Sequence, residues 1–262
     1  MRSESIRLPS PLKSVYCVWR RNLLVFARLW MINLFWIVLE PLIVLLALGY
    51  GLGSFVSNVQ GVSYADFFFP ALLCISSMMV AFFESTYGNF SKLTYQKTYS
   101  TMVLSPLEPR QIVLGEILWG ATKGTLSAIG VVLIAGLIGH LDSAMFIPAI
   151  MIIFLSSLMF SALGMLVTSY VKNYDQIIYP TSGLIVPMSL LSGTYFPLTN
   201  LPFGLEYLSY LMPLRHSVLA VRGCLLGNMP WWQILIHAIV IILMSAILIH
   251  FSVKRIERKL IQ

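Results

Sequence analysis

Six times along this chain an apolar run approaches or exceeds the roughly 20 residues that a helix needs to cross the hydrocarbon core of a bilayer. The runs cover 29–53, 67–90, 112–139, 145–170, 177–193 and 232–251. Hydrocarbon offers no partner to a peptide N–H or C=O, and a helix satisfies both within one segment. The expected fold is therefore an all-α integral membrane protein, a single domain over 1–262. It divides into an amphipathic N-terminus (1–28), a bundle of six transmembrane helices (29–252) and a short tail (253–262). A chain that is 58% hydrophobic and only 10% charged has too little polar surface for a soluble globular domain.

The fifth run is the shortest, and it ends at Gly193 without reaching a polar loop. The next thirty or so residues stay largely apolar but are broken at Phe196-Pro197, Leu201-Pro202 and Pro213. Non-helical backbone at membrane depth survives only where protein or a wet cavity satisfies it. The expectation is an outer re-entrant hairpin over 193–227, between helices five and six, that helps to close a transport pathway. Its residues are Gly193, Phe196, Pro197, Pro202, Pro213, Arg215 and Arg222. The two arginines are seven apart and share a helix face. Snorkelling to lipid phosphates is the favoured reading for them, ahead of binding an anionic substrate.

A net charge of +7 could signal nucleic acid, but that requires a basic face on a soluble module, and here the charges flank the spans. With the N-terminus inside, 14 of the 17 Lys and Arg fall on one side: before span one, after spans two and four, and in the tail. This asymmetry predicts cytoplasmic termini. Run 29–53 is too long for the h-region of a cleaved signal peptide, so it is expected to remain as span one. The cysteines Cys17, Cys74 and Cys224 show no paired spacing.

At spacings of three and four, Leu12, Val15, Tyr16, Trp19, Leu23, Phe26 and Trp30 describe an amphipathic helix lying along the cytoplasmic surface. Segment 91–111 is the longest internal polar stretch, and a short helix ended by Pro106 and Pro109 fits it. Glu40-Pro41 predicts a kink in span one. Four charges fall inside spans, namely Glu40, Glu84, Glu116 and Lys123, each costing about 2.5–3.5 kcal/mol at the centre of a membrane helix. By depth, Glu40 and Lys123 are expected to pair, while Lys92 or Arg110 could reach Glu84 and Glu116. The dipeptide Gly-Lys is absent, so no ATP-binding P-loop is present. His140, His216, His237 and His250 are scattered without ligand spacing, so neither catalytic nor metal residues are expected.

A set of short motifs occurs in order: Trp19-Arg20-Arg21-Asn22, Glu40-Pro41, Gly49-Tyr50-Gly51, Phe83-Glu84, Gln96-Lys97-Thr98, Ala121-Thr122-Lys123, Tyr174-Asp175, Leu191-Ser192-Gly193 and Pro213-Leu214-Arg215-His216. With these the chain resembles the permease subunits of type-2 ABC exporters over almost its whole length. It is most similar to the inner-membrane subunit of the nodulation-factor exporters of root-nodule bacteria. The resemblance implies a multi-pass protein of the bacterial inner membrane that exports an amphiphilic or glycan-bearing molecule. It would work as a homodimer among membrane lipids, beside a separate ATP-binding cassette ATPase holding ATP and Mg, with no cofactor of its own and no nucleic acid. It also implies that Gln96, Lys97, Thr98, Tyr99, Ser100 and Thr101 form the helix that couples to the ATPase. Ser100 departs from the pattern, since relatives commonly carry an acidic residue there. Rival classes are an ion-coupled carrier and a membrane assembly scaffold; the carrier would be expected to show an inverted repeat, which the sequence does not display.

Overall fold

The computed structural model describes residues 10–56, 58–137, 145–200 and 204–261. Pro202, loop 140–144 and the basic residues Arg2 and Arg7 lie outside the described residues. Within them the regular structure is helical, apart from one isolated bridge between Val59 and Val62. The helical segments are α1 (Pro11–Arg28), α2 (Trp30–Ser54), α3 (Tyr64–Tyr95), α4 (Thr98–Val103), α5 (Pro109–Leu137), α6 (Phe146–Tyr170), α7 (175–191), α8 (Leu205–Ser209), α9 (Pro213–Leu226) and α10 (Trp231–Ile261).

Five of these, α2, α3, α5, α6 and α10, are long and apolar enough to cross a membrane. The expected fifth run falls mainly in α7. At about 1.5 Å per residue α7 rises about 26 Å, short of the roughly 30 Å core. Pro180 and Pro187 each remove a backbone donor, and α7 changes pitch around them, from a 3-10 turn (Asp175–Ile177) through a wide π turn (Thr181–Ile185) to Val186–Leu191.

Helix α3 is the axis of the bundle. In its most apolar window 78% of residues are buried, against 19% in α2 and 11% in α10, which therefore lie at the periphery. Small residues bring α3, α5 and α6 together, as they must where lipid supplies no hydrophobic drive. A Cβ at Gly124 would stand 2.6 Å from the Ser77 carbonyl oxygen. Ser85 and Ser161 meet at 2.7 Å, and Thr168 donates to the Ser85 carbonyl at 2.7 Å.

In α2, Pro41 deprives the Ile37 carbonyl of its helical donor. Ser127 of α5 replaces that donor, its Oγ lying 2.7 Å from the Ile37 oxygen. Wide π turns flank the proline at Phe35–Leu39 and Leu45–Gly51, so the interruption read from the sequence is present as a change of helical pitch.

Helix α1 starts where Ser10 accepts from the Lys13 N–H at 3.4 Å and Pro11 presets the first turn. Its buried line is Ser14, Val18 and Asn22, laid against α5. The apolar stripe expected to anchor it is only partly covered, with Leu12 and Tyr16 exposed. Trp19 and Phe26 of that stripe are half-buried and help to hold the helix: Trp19 Nε1 donates to Thr122 Oγ1 at 3.0 Å, and the Phe26 ring meets Trp119 edge-on at 5.5 Å.

Helices α1 and α4 and the last turns of α10 gather at one end of the bundle. Arg110 pairs there with Glu257 at 3.6 Å, and Lys259 donates to the Thr168 and Val171 carbonyls. Residues 192–200 and 204–230, with α8 and α9, occupy the other end.

Candidate functional site

At the end that carries α1 and α4, the intramembrane charges form a network. Glu116 of α5 is fully buried and accepts from three donors: Arg21 Nη2 at 3.1 Å, Asn22 Nδ2 at 2.9 Å and Lys92 Nζ at 2.8 Å. Glu84 of α3, where a wide turn begins, accepts from Lys123 Nζ at 2.8 Å and Trp119 Nε1 at 3.1 Å. Lys92 lies 3.5 Å from Glu84 and bridges the two carboxylates. Two carboxylates thus face three cations, and the desolvation of each is offset by charged hydrogen bonds.

This corrects the pairing expected for Lys123. Lys123 pairs with Glu84 rather than Glu40, because it emerges on the face of α5 that packs on α3. Of the two cations expected within reach of Glu84 and Glu116, Lys92 contacts both, while Arg110 pairs with Glu108 at 3.3 Å and with Glu257. A double-mutant cycle on Glu84 and Lys123 is expected to show coupling of about 0.5–3 kcal/mol. A cycle on Glu40 and Lys123 should be additive within about 0.5 kcal/mol. Urea or thermal unfolding of the detergent-solubilised chain measures both, and coupling only in the second cycle would reverse the assignment.

Glu40 is exposed and has no ion pair among the described residues. It lies on the rim of a groove of about 280 Å³ between α2, α3 and α7, with Ser76, Thr181 and Tyr195 among its lining. Sequence reasoning placed its depth but not its face, which only the packing of α2 decides.

Helix α4 is nailed down by Tyr99, fully buried among Leu93, Ile112, Ile117, Met165 and Ile256. Lys97 precedes it in the left-handed region at φ 55°, turning the chain out of α3. Gln96 closes that turn through Ser91, and Thr98 reaches the Gln96 side chain at 3.4 Å. The outward face presents Lys97, Ser100, Thr101 and Leu104, the last 89% exposed. Arg21 joins this element to the charge network, its Nη1 standing 3.8 Å from Met102 Sδ. Sequence patterning alone does not mark Arg21 and Lys92 as members of the network together, since the first belongs to a surface helix and the second to a span end.

At the opposite end Gly193 follows α7 at φ 72°. Its carbonyl and that of Phe67 each accept from Arg222 Nη2 at 3.1 Å, and the Arg222 guanidinium lies 3.9 Å from the centre of the Phe67 ring. Tyr64 donates to the Tyr195 carbonyl at 3.1 Å, tying the segment to the start of α3. Pro213 opens α9, Pro197 is half-buried, and Phe196 is 40% exposed. Arg215 and Arg222 are both buried, so neither snorkels to a lipid surface, contrary to the favoured reading.

Two histidines treated as scattered also meet here, with Nδ1 of His216 and His237 at 2.9 Å. His216 Nε2 lies 2.9 Å from the Tyr210 carbonyl, an acceptor only, so His216 carries its proton on Nε2. In the neutral pair His237 Nδ1 is then the donor.

Comparison with known proteins places this architecture. The family model described as ABC-2 type transporter matches residues 13–226. Nodulation protein J of Rhizobium leguminosarum bv. viciae is 32% identical over 245 residues, 94% of each chain. Nodulation protein J of Rhizobium leguminosarum bv. trifolii is 35% identical over 229 residues, 87% of each. Inner membrane transport permease YadH of Escherichia coli (strain K12) is 23% identical over 210 residues, 80% of this chain and 82% of that one. The match spans α1 to α9 and takes in the charge network, α4 and the segment after α7, and on it the chain belongs to the ABC-2 type transporter family of membrane permeases.

Proposed function

We propose that the chain is the permease half of an ATP-driven exporter, two copies of which stand in the bacterial inner membrane on separate ATP-binding cassette subunits. The observation that carries this reading is the construction of α4. A single buried tyrosine fixes it to the bundle, while Lys97, Ser100, Thr101 and Leu104 face outward. Through Arg21 and Met102 that short helix is linked to α1 and, by Glu116 and Lys92, to α3 and α5. A push on α4 therefore reaches two central helices through a continuous set of charged hydrogen bonds.

In this reading α4 is the coupling helix and the end bearing both described termini is cytoplasmic, in keeping with its Lys and Arg. The chain lacks a P-loop, so hydrolysis of ATP with Mg belongs to the partner. Segment 175–191 with α8 and α9 completes the bundle as a short sixth crossing followed by a re-entrant hairpin. Tyr207, Tyr210 and Leu211 are exposed there, too apolar for open water. Glu40 supports the second copy. A carboxylate facing lipid near mid-span costs about 2.5–3.5 kcal/mol, so its face meets protein or a wet pathway instead. The cargo is an amphiphilic or glycan-bearing molecule, with lipo-oligosaccharide favoured by the similarity to Nodulation protein J.

Cysteines introduced at Lys97 and Thr101 are expected to crosslink to the ATPase in membranes holding both subunits, and the isolated chain should show no ATP turnover. Labelling of either cysteine by an impermeant reagent applied from outside the cell, or turnover by the chain alone, removes the proposal.

A further inference from the structure

A cavity at the end opposite α4 is lined by two guanidinium groups and, among the described residues, by no carboxylate. Arg215 and Arg222 project from one face of α9, two turns apart, and are 8% and 6% exposed. They line a space of about 210 Å³ together with Gln60, Thr199, Asn228 and the turn at Gly193.

Arg222 is half satisfied: its Nη2 donates to the Phe67 and Gly193 carbonyls and its flat face covers the Phe67 ring, but its buried Nε has no partner. Arg215 is served less well. Its guanidinium stands 5.2 Å from the centre of the Tyr210 ring, its buried Nε is unpartnered, and its side chain makes no hydrogen bond or ion pair among the described residues. No Asp or Glu of the described residues lies within ion-pair distance of either arginine. Arg215 is nevertheless given room, because at Gly193 any Cβ would collide with its Nη1.

Burying an unpaired cation costs several kcal/mol even after relaxation, and carbonyl oxygens return only part of that. Two such cations beside one cavity raise that cost, because they repel each other at low dielectric. What removes it is an anion. Guanidinium presents a planar fork of donors that fits the oxygens of a phosphate or carboxylate. Two forks reaching one space from different turns ask for three or four acceptor oxygens. A carboxylate, with two, would satisfy one fork; a tetrahedral oxyanion reaches both. The neutral donors of Gln60 and Asn228 and the Thr199 hydroxyl would complete its shell.

We propose that Arg215 and Arg222 form a binding site for a phosphate or sulfate group, set in the segment after α7. That group can belong to a lipid headgroup or to a soluble or cargo-borne ester. The site is a property of the folded chain and is read by binding. Only assigning its anion to the cargo rests on the export reading, and an exporter with normal ATPase coupling that ignores anions would leave that reading intact while ending this one.

The test uses the full chain with its ATPase in a maltoside detergent, which carries no phosphate, and follows thermal unfolding. Inorganic phosphate and inorganic sulfate are titrated against chloride at matched ionic strength; in a separate arm, phosphatidylglycerol is added to the micelles. At least one probe should give a saturable rise, on the order of 3 °C at about ten times its dissociation constant, that Arg215→Gln and Arg222→Gln abolish. Response to the inorganic ions assigns the site to soluble or cargo-borne esters, and response to phosphatidylglycerol alone assigns it to lipid. Should the arginine variants fail to fold, Thr199→Glu decides, since it keeps both cations and places a carboxylate at the cavity. It should raise the unfolding temperature without added anion and cancel the response. No saturable response to any probe, a response that survives in the folded arginine variants, or one that survives in Thr199→Glu overturns the site.

Discussion

Replacing Glu116 with glutamine is expected to lower the stability of the chain by about 3–5 kcal/mol, although the side chain keeps its size and most of its hydrogen-bonding capacity. Glu116 is fully buried, and both Arg21 and Lys92 direct a charge at it. With the carboxylate gone, Lys92 keeps the neutral Asn89 Oδ1 and shares Glu84 with Lys123, and Arg21 is left without a carboxylate among the described residues. The loss should extend beyond global unfolding. Helix α1 is held by Trp19 on Thr122, by Val18 against Gly115 and by this cluster, so labelling of buried Asn22→Cys should rise more than that of a cysteine in α6. Combining Glu116→Gln with Lys92→Met removes one unpaired charge and should recover part of the stability. Unfolding of Glu116→Gln within about 0.5 kcal/mol of the unaltered chain would show that the cluster is a surface feature rather than a buried joint.

The identity of these charges was legible in the sequence, because a Glu or Lys inside an apolar run has few explanations. Their pairing was not. Depth along a span is found by counting residues, but partner choice depends on rotation about the helix axis, and α5 has small or polar residues on several faces: Gly115, Gly120, Thr122, Gly124 and Ser127. Packing on α3 through Gly124 turns Lys123 toward Glu84, and packing on α2 through Ser127 leaves Glu40 outside.

The same limit explains α1 and α7. In α1 the spacing of apolar residues marked a helix and an amphipathic one, yet its fully buried line is Ser14, Val18 and Asn22, because Gly115 of α5 admits Val18 closely. For α7, apolar length alone did not fix whether the segment crosses. Pro180 and Pro187 break the repeat of the helix, and the path beyond them depends on contacts such as Arg222 to Gly193 that join residues far apart in sequence. The positions of α4 and of the five long helices needed no such information, since apolar length and proline stops mark them locally.

Gly193→Val should abolish or nearly abolish export while leaving the long helices inserted and the ATPase bound. Gly193 sits at φ 72°, where a β-branched residue is a backbone outlier costing on the order of 1–2 kcal/mol. Sterics add to this, because the new Cβ would occupy the place of Arg215 Nη1. Moving Arg215 disturbs the cavity it lines. Twisting the peptide at 193 also displaces the carbonyl that Arg222 holds, and with it a link between the end of α7 and Phe67 of α3. Strain confined to the end opposite α4 leaves Tyr99 and the Glu116 cluster untouched, so ATPase assembly and the crosslinks at Lys97 and Thr101 should persist. Gly193→Ala separates the two causes: it carries most of the collision with Arg215 but less of the backbone strain, so its export should fall between that of the unaltered chain and that of the valine variant. Export at the normal rate in both variants, with both present in the membrane in normal amount, would show that the turn after α7 has no part in the pathway.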